Sequence, residues 1–194
     1  MLMTSYATSG VNVYVTHDTR LSLQALAALV NTREPDALTT LADLDQLCAR
    51  WQWSGSRTHD QAELESVRGA RQRLAGFWGA DEGAVVQLIN ELLVEGRALP
   101  QLVKHDHFDW HIHGTGPEAP LVVRMIVEYA MSMMDVVRSG DLDRLDYCAD
   151  PDCNQVVIDL SRNRSRKFCD TGCGNRSNVA AYRARRRAAP LPHH

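Results

Sequence analysis

The chain of 194 residues has little aromatic content, at 6%, and no apolar run of membrane-spanning length. Even Leu121 to Val137 is interrupted by Arg124, Glu128 and Asp135, so no membrane partner is expected. A glycine-rich phosphate loop, an H-E-x-x-H pair and a Gly-x-Ser-x-Gly elbow are all missing, which argues against an enzyme. Met1 to Tyr6 carry neither a positive n-region nor an apolar h-region, so a secretory signal is not expected and the chain reads as cytoplasmic. Internal repeats and low-complexity runs are also missing. Cysteine is scarce, with five in all, yet four of the five fall in the last quarter of the chain.

Those four form two close pairs, Cys148-x₄-Cys153 and Cys169-x₃-Cys173, separated by a segment long enough for a hairpin. A closed zinc site wants four soft ligands in a tetrahedron, and two short cysteine loops brought together supply them. Two disulfides are the competing reading, and nothing in the sequence supports an oxidising compartment. One structural Zn²⁺ held by Cys148, Cys153, Cys169 and Cys173 is therefore expected. Between the pairs, Gln155 to Asp159 reads as a short strand, Ser161 to Ser165 as a polar turn and Arg166 to Phe168 as a second strand. Cys173 and Gly174 would then open a helix, with Asn175 or Ser177 as its N-cap. Knuckle, hairpin and helix together give a treble-clef-like arrangement.

The net charge of −3 hides an asymmetry. Residues 161–187 hold nine basic residues against Asp170 alone, a local charge of +8. The remainder holds twelve basic and 23 acidic residues, a local charge of −11. Four thiolates on one Zn²⁺ subtract about 2 from the tip and leave it strongly positive. An acidic body with a basic end is the footprint of a nucleic-acid-binding tip; a solvated tail, or a tip docked on its own body, is the bland alternative.

At these residues the chain resembles the CGNR zinc-finger proteins, through Cys173-Gly174-Asn175-Arg176, the preceding Asp159-x-Ser161-Arg162-Asn163 and the following Tyr182-x-x-Arg185. Upstream, Leu29-Val30-Asn31-Thr32, Val67-Arg68 and Ile89-Asn90 resemble signatures of the helical domain called ABATE, regarded in that family as stress-responsive and regulatory. The resemblance implies a transcriptional regulator. Double-stranded DNA is its expected partner, the location is cytoplasmic and nucleoid-associated, and a small-molecule effector and a homodimer are kept open.

The body reads as helical. Leu21 to Val30 carries a helical apolar spacing, and Thr40-x-x-Asp43 resembles a capping box before a face of Leu41, Leu44, Leu47, Cys48 and Trp51. A third helix is expected over Asp60 to Trp78, and a fourth from Asp81 to Gly96. A long helix is expected from Leu121 to about Ser139. Val11 to Val15 reads as a strand or an ordered arm. Lys104 to His113 alternates, which predicts a strand with Asp106, Phe108, Trp110 and Ile112 packed on the helices and a row of His105, His107, Asp109, His111 and His113 on the other face. That row could chelate a second metal, or simply be a solvated strand face.

The fold class is thus mainly α: a helical N-terminal domain with a short strand or hairpin, plus the zinc finger. The expected divisions are 1–144 for the ABATE-like domain, 145–189 for the finger and 190–194 for a disordered tail. Arg162, Arg164, Arg166, Lys167, Arg176, Asn178, Arg183, Arg185, Arg186 and Arg187 are the candidate DNA contacts. Asn31, Arg68, Asn90, Trp110 and Tyr129 are the candidate effector contacts. A DNA-binding regulator is the preferred function, with a zinc-bearing protein-interaction adaptor as the alternative.

Overall fold

The computed structural model describes residues 17–104 and 110–188. Val11 to Val15, the tail after 189, and His105, His107 and Asp109 of the histidine row lie outside the described residues. Among the described residues, six α-helices and four three-residue strands follow in order: α1 (His17–Asn31), α2 (Leu41–Arg50), α3 (Gln61–Leu74), α4 (Glu82–Glu95), β1 (Gln101–Val103), β2 (His111–His113), α5 (Leu121–Arg138), β3 (Leu145–Tyr147), β4 (Val156–Ile158) and α6 (Thr171–Ala188).

The helix starts follow from local side-chain chemistry. The Thr40 hydroxyl accepts from the Asp43 N–H at 3.2 Å while the Asp43 carboxylate accepts from the Thr40 N–H at 2.8 Å, closing the reciprocal box that starts α2. Asp60 and Asp81 cap α3 and α4, each accepting one N–H at 2.8 Å. The third helix stops at Leu74, four residues short of the expected end, because the chain tightens into a 3₁₀ turn over Ala75–Phe77 and Trp78 is extended.

Helix α5 is the centre of the body. Its Leu121, Met125, Tyr129 and Met133 are sealed from solvent together with Leu26 and Leu29 of α1, Leu64 and Val67 of α3, and Ile89 and Leu92 of α4. Each such side chain stabilises by about 1.5–3 kcal/mol when fully buried. Cys48 belongs to this core, where burial pushes its thiol up to about 11 and makes it a small hydrophobe rather than a ligand.

Buried guanidiniums hold the loops to the helices. Arg71, 6% exposed, donates to the Thr32 carbonyl, the Thr32 hydroxyl and the Asp36 carboxylate at 2.8, 3.0 and 2.9 Å. The Arg71 guanidinium holds the Asp36 carboxyl down at about 2.

Glu128 lies on the α5 face toward α1, where burial, with a contribution from Asp18, pushes its carboxyl up to about 7. Its ordinary value is 4.5, so between pH 4.5 and 7 the unfolded chain ionises this group before the folded one does. The stability it supports is complete below pH 4.5 and is lost as pH rises through 7. Glu128→Gln should therefore match the parent at pH 4 and exceed it at pH 8 by about 3 kcal/mol, read from chemical denaturation at the two pH values. Equal gains at both values would remove the titration from the explanation.

The strands differ from the expected ones. Arg166 to Phe168 forms no strand; β4 instead pairs antiparallel with β3, with Leu145 opposite Ile158 and Tyr147 opposite Val156. The long Lys104–His113 strand is reduced, among the described residues, to β2 paired with β1, Leu102 opposite Ile112. Among the described residues, its apolar side does not pack on the helices. Gly114 brings bare backbone against Val127 and Met131 of α5, where a Cβ would collide with both, so the hairpin meets the body at its root. Trp110 and Ile112, further along, are 65% and 50% exposed.

Candidate metal centre and nucleic-acid interface

Strand β4 carries the finger on the body. Its period-2 alternation sends Val156 and Ile158 into the helical core and Val157 into a second cluster with Cys148 and Cys173. The Asn31 side-chain amide closes two hydrogen bonds with Val156, donating to its carbonyl at 3.0 Å and accepting from its N–H at 2.7 Å. The Trp78 indole N–H donates to the Val157 carbonyl at 3.0 Å, and Arg20 reaches the Leu160 carbonyl at 2.7 Å. Asn31 is thus engaged at the joint between body and finger.

The four thiol sulfurs lie within 4.8 Å of one another. Sγ of Cys153 is 3.7 Å from that of Cys169, which is 3.4 Å from that of Cys173. Sulfurs at about 2.3 Å from a shared tetrahedral ion stand about 3.8 Å apart, whereas a disulfide needs about 2.05 Å, so the spacing fits a metal and not two disulfides. The backbone prepares the site. Cys148 N–H donates to the Gln155 carbonyl at 2.8 Å to close the first knuckle, and Cys169 N–H donates to the Cys148 sulfur at 3.4 Å. Burial pushes the Cys169 thiol up to about 12 and raises Cys173 too. A divalent ion deprotonates such ligands outright, and filling all four positions leaves none open for water.

The helix that supplies Cys173 starts earlier than the sequence indicates. Helix α6 begins at Thr171, and the Asp170 carboxylate accepts from the Cys173 N–H at 2.7 Å, so Asp170 rather than Asn175 or Ser177 acts as its cap. This puts the Cys173 sulfur in the first turn, where the helix dipole favours a thiolate.

Two family models match the chain. One, ABATE, described as "Putative stress-induced transcription regulator", matches residues 23–140; the other, the CGNR zinc finger, matches residues 144–186.

The chain belongs to the ABATE family.

Its C-terminal part is a CGNR zinc finger whose four cysteines are placed to bind one structural zinc ion. No curated protein matches this ABATE chain. Among its described residues no helix is long and apolar enough to cross a membrane.

The candidate DNA contacts of the ABATE protein fall into two groups. Three are held within the structure. Arg176 forks onto Asp150 at 2.9 and 2.8 Å and donates to the Cys173 sulfur at 2.9 Å; Arg164 pairs with Asp141 at 2.6 Å and with Asp143; Arg166 donates to the Cys169 carbonyl at 2.8 Å. The others face solvent. Arg162 and Lys167 on the turn, and Arg183 and Arg185 on α6, are exposed, and their side chains form no ion pair or hydrogen bond among the described residues. Arg186 lies 6.0 Å over the Tyr182 ring, Asn178 is exposed, and the Arg187 side chain is outside the described residues. From Asn178 to Arg186 every described side chain of α6 is exposed, including Val179 and Tyr182.

The five candidate effector contacts are not gathered into one pocket. Asn31 is spent on β4, and Tyr129 is 1% exposed with Trp53 edge-on at 5.6 Å. Arg68 pairs with Asp36 and Glu65 at the surface, while Asn90 and Trp110 are exposed.

Sequence reading assigned no role to Asp150 or Asp159, each nearly sealed from solvent. Asp150 anchors Arg176, and Asp159 accepts from Ser161 N–H at 2.8 Å and Arg166 N–H at 2.9 Å, which sets the shape of the basic turn. The available signal was turn chemistry: Asp150-Pro151-Asp152 and Asp159-x-Ser161 are side-chain-to-backbone turn formers.

Proposed function

We propose that this ABATE protein is a DNA-binding transcription regulator in which the zinc finger presents its basic helix to a duplex and the helical body receives a small-molecule or stress signal. The observation that carries this reading is the outer half of α6. From Asn178 to Arg186 its described side chains are all exposed, Arg183, Arg185 and Arg186 among them, and Arg162 and Lys167 of the turn are exposed as well. A helix of this diameter fits the major groove, and a turn with two unpaired cations suits phosphate oxygens. Arg164, Arg166 and Arg176 act behind this surface, by fixing the turn and the zinc site.

Substituting Arg185 and Arg186 together by Ala should weaken duplex binding and reduce the slope of log affinity against log salt by about 2, as two phosphate contacts are lost. Fluorescence anisotropy of the zinc-loaded protein across a salt series measures both. An unchanged slope would end the role proposed for α6. Exposed Val179 and Tyr182, 48% and 54% open, favour the second reading, in which the same helix docks on an acidic protein partner. Absence of duplex binding even at low salt would select it. We propose no enzymatic role.

A further inference from the structure

The two imidazoles of β2 form a unit that the finger does not use. His111 and His113 project from the same face of the strand, two residues apart, half-buried, with ring centroids 4.7 Å apart and their Nε2 atoms separated by 2.8 Å. Two imidazole nitrogens about 2.0–2.1 Å from a shared ion stand about 2.9 Å apart when the bond angle is 90°, and about 3.4 Å apart at the tetrahedral angle. The observed separation is that of adjacent positions in a tetragonal or octahedral shell. Imidazole is a preferred ligand of Cu²⁺ and Ni²⁺, and tetragonal geometry is theirs rather than zinc's. One ring donates to the other across that distance, and an ion bound by both would replace this hydrogen bond.

We propose that His111 and His113 form a second metal site, a two-imidazole chelate for Cu²⁺ or Ni²⁺, separate in place and chemistry from the four-cysteine zinc site. Its position gives it a route to the body. Gly114, the next residue, is pressed against Val127 and Met131 of α5, the helix around which the core is built, so ordering of β2 by an ion acts at the root of that contact.

The test uses full-length, zinc-loaded protein and nickel nitrilotriacetate, a complex that keeps two adjacent coordination positions open and competes poorly for buried thiolates. Calorimetric titration should show one equivalent bound, and His113→Gln, which keeps a polar side chain of similar reach, should weaken it at least tenfold, as should His111→Gln. Zinc content and thermal midpoint of both variants, measured alongside, establish that the fold is intact. Copper nitrilotriacetate bound to the parent should give the electron-paramagnetic signature of two imidazole nitrogens, reduced to one in either variant. Affinity that survives both substitutions but falls in His105→Gln with His107→Gln, or in His193→Gln with His194→Gln, would overturn the assignment. So would the absence of binding by the parent.

Discussion

Cys173→Ser should reduce bound zinc from one ion per chain to almost none, with the order of the finger lost along with it. The second core cluster consists of Val157 and the cysteines with Phe168 packed beside them, too small to hold the knuckle, the basic turn and the start of α6 in place without a metal. Structural zinc contributes on the order of 10–16 kcal/mol to folding in modules of this size. Elemental analysis gives the stoichiometry, and hydrogen exchange locates the damage, which should appear over residues 148–176 while α3 and α4 stay protected. Cys48→Ala is the control: its thiol is buried in the helical core, so that variant should keep a full complement of zinc. A Cys173→Ser protein with one tightly bound zinc would overturn the four-sulfur site.

The second large effect is expected far from the metal. Arg124→Ala should lower stability by about 3–5 kcal/mol, because a buried cation that satisfies several carbonyls is removed and the carbonyls remain. Arg124 is 7% exposed, and its guanidinium donates to the carbonyls of Ser54, Ser56 and Ala119, the latter two at 2.5 and 2.9 Å. The loop is wrapped on it closely enough that Gly55, at φ +90°, has no room for a Cβ between the Arg124 guanidinium and the Pro117 carbonyl. For a chain of this length the loss corresponds to a fall in melting temperature of about 10 °C or more. Arg124→Lys should recover only part of it, since one ammonium cannot span three carbonyls held in a fan. Calorimetry with the zinc content held constant reads the effect, and a melting temperature within 2 °C of the parent would show that the loop holds itself.

These two sites mark what the sequence discloses and what it hides. Cysteine spacing reports its own geometry, because ligands of one small ion must come close together and short loops do so at fixed intervals. Helices α2 and α4 were legible from their caps and apolar spacing for the same local reason. Arg124 reads in sequence only as an interruption of an apolar stretch; that it is buried depends largely on the Ser54 and Ser56 carbonyls, 70 and 68 residues away in the chain. The pairing of β3 with β4 is hidden likewise: three residues are too few for an alternation to stand out, and Leu145-Asp-Tyr147 carries no turn signal of its own. Asn31 was singled out as a candidate pocket group, and its environment is the edge of β4. The basic residues divide according to nearby acids, Asp141, Asp143 and Asp150, whose positions only the folded finger defines.

The length of α6 turns the joint at β4 into the pivot of a lever. Eighteen helical residues extend about 27 Å, so a tilt of about 10° at the root sweeps the far end through about 5 Å. One base-pair step is about 3.4 Å along a duplex. In the proposed duplex-bound state, a displacement of α1 or of the Trp78 turn too small to disturb the core would therefore carry the arginines at the tip past a whole step of the double helix.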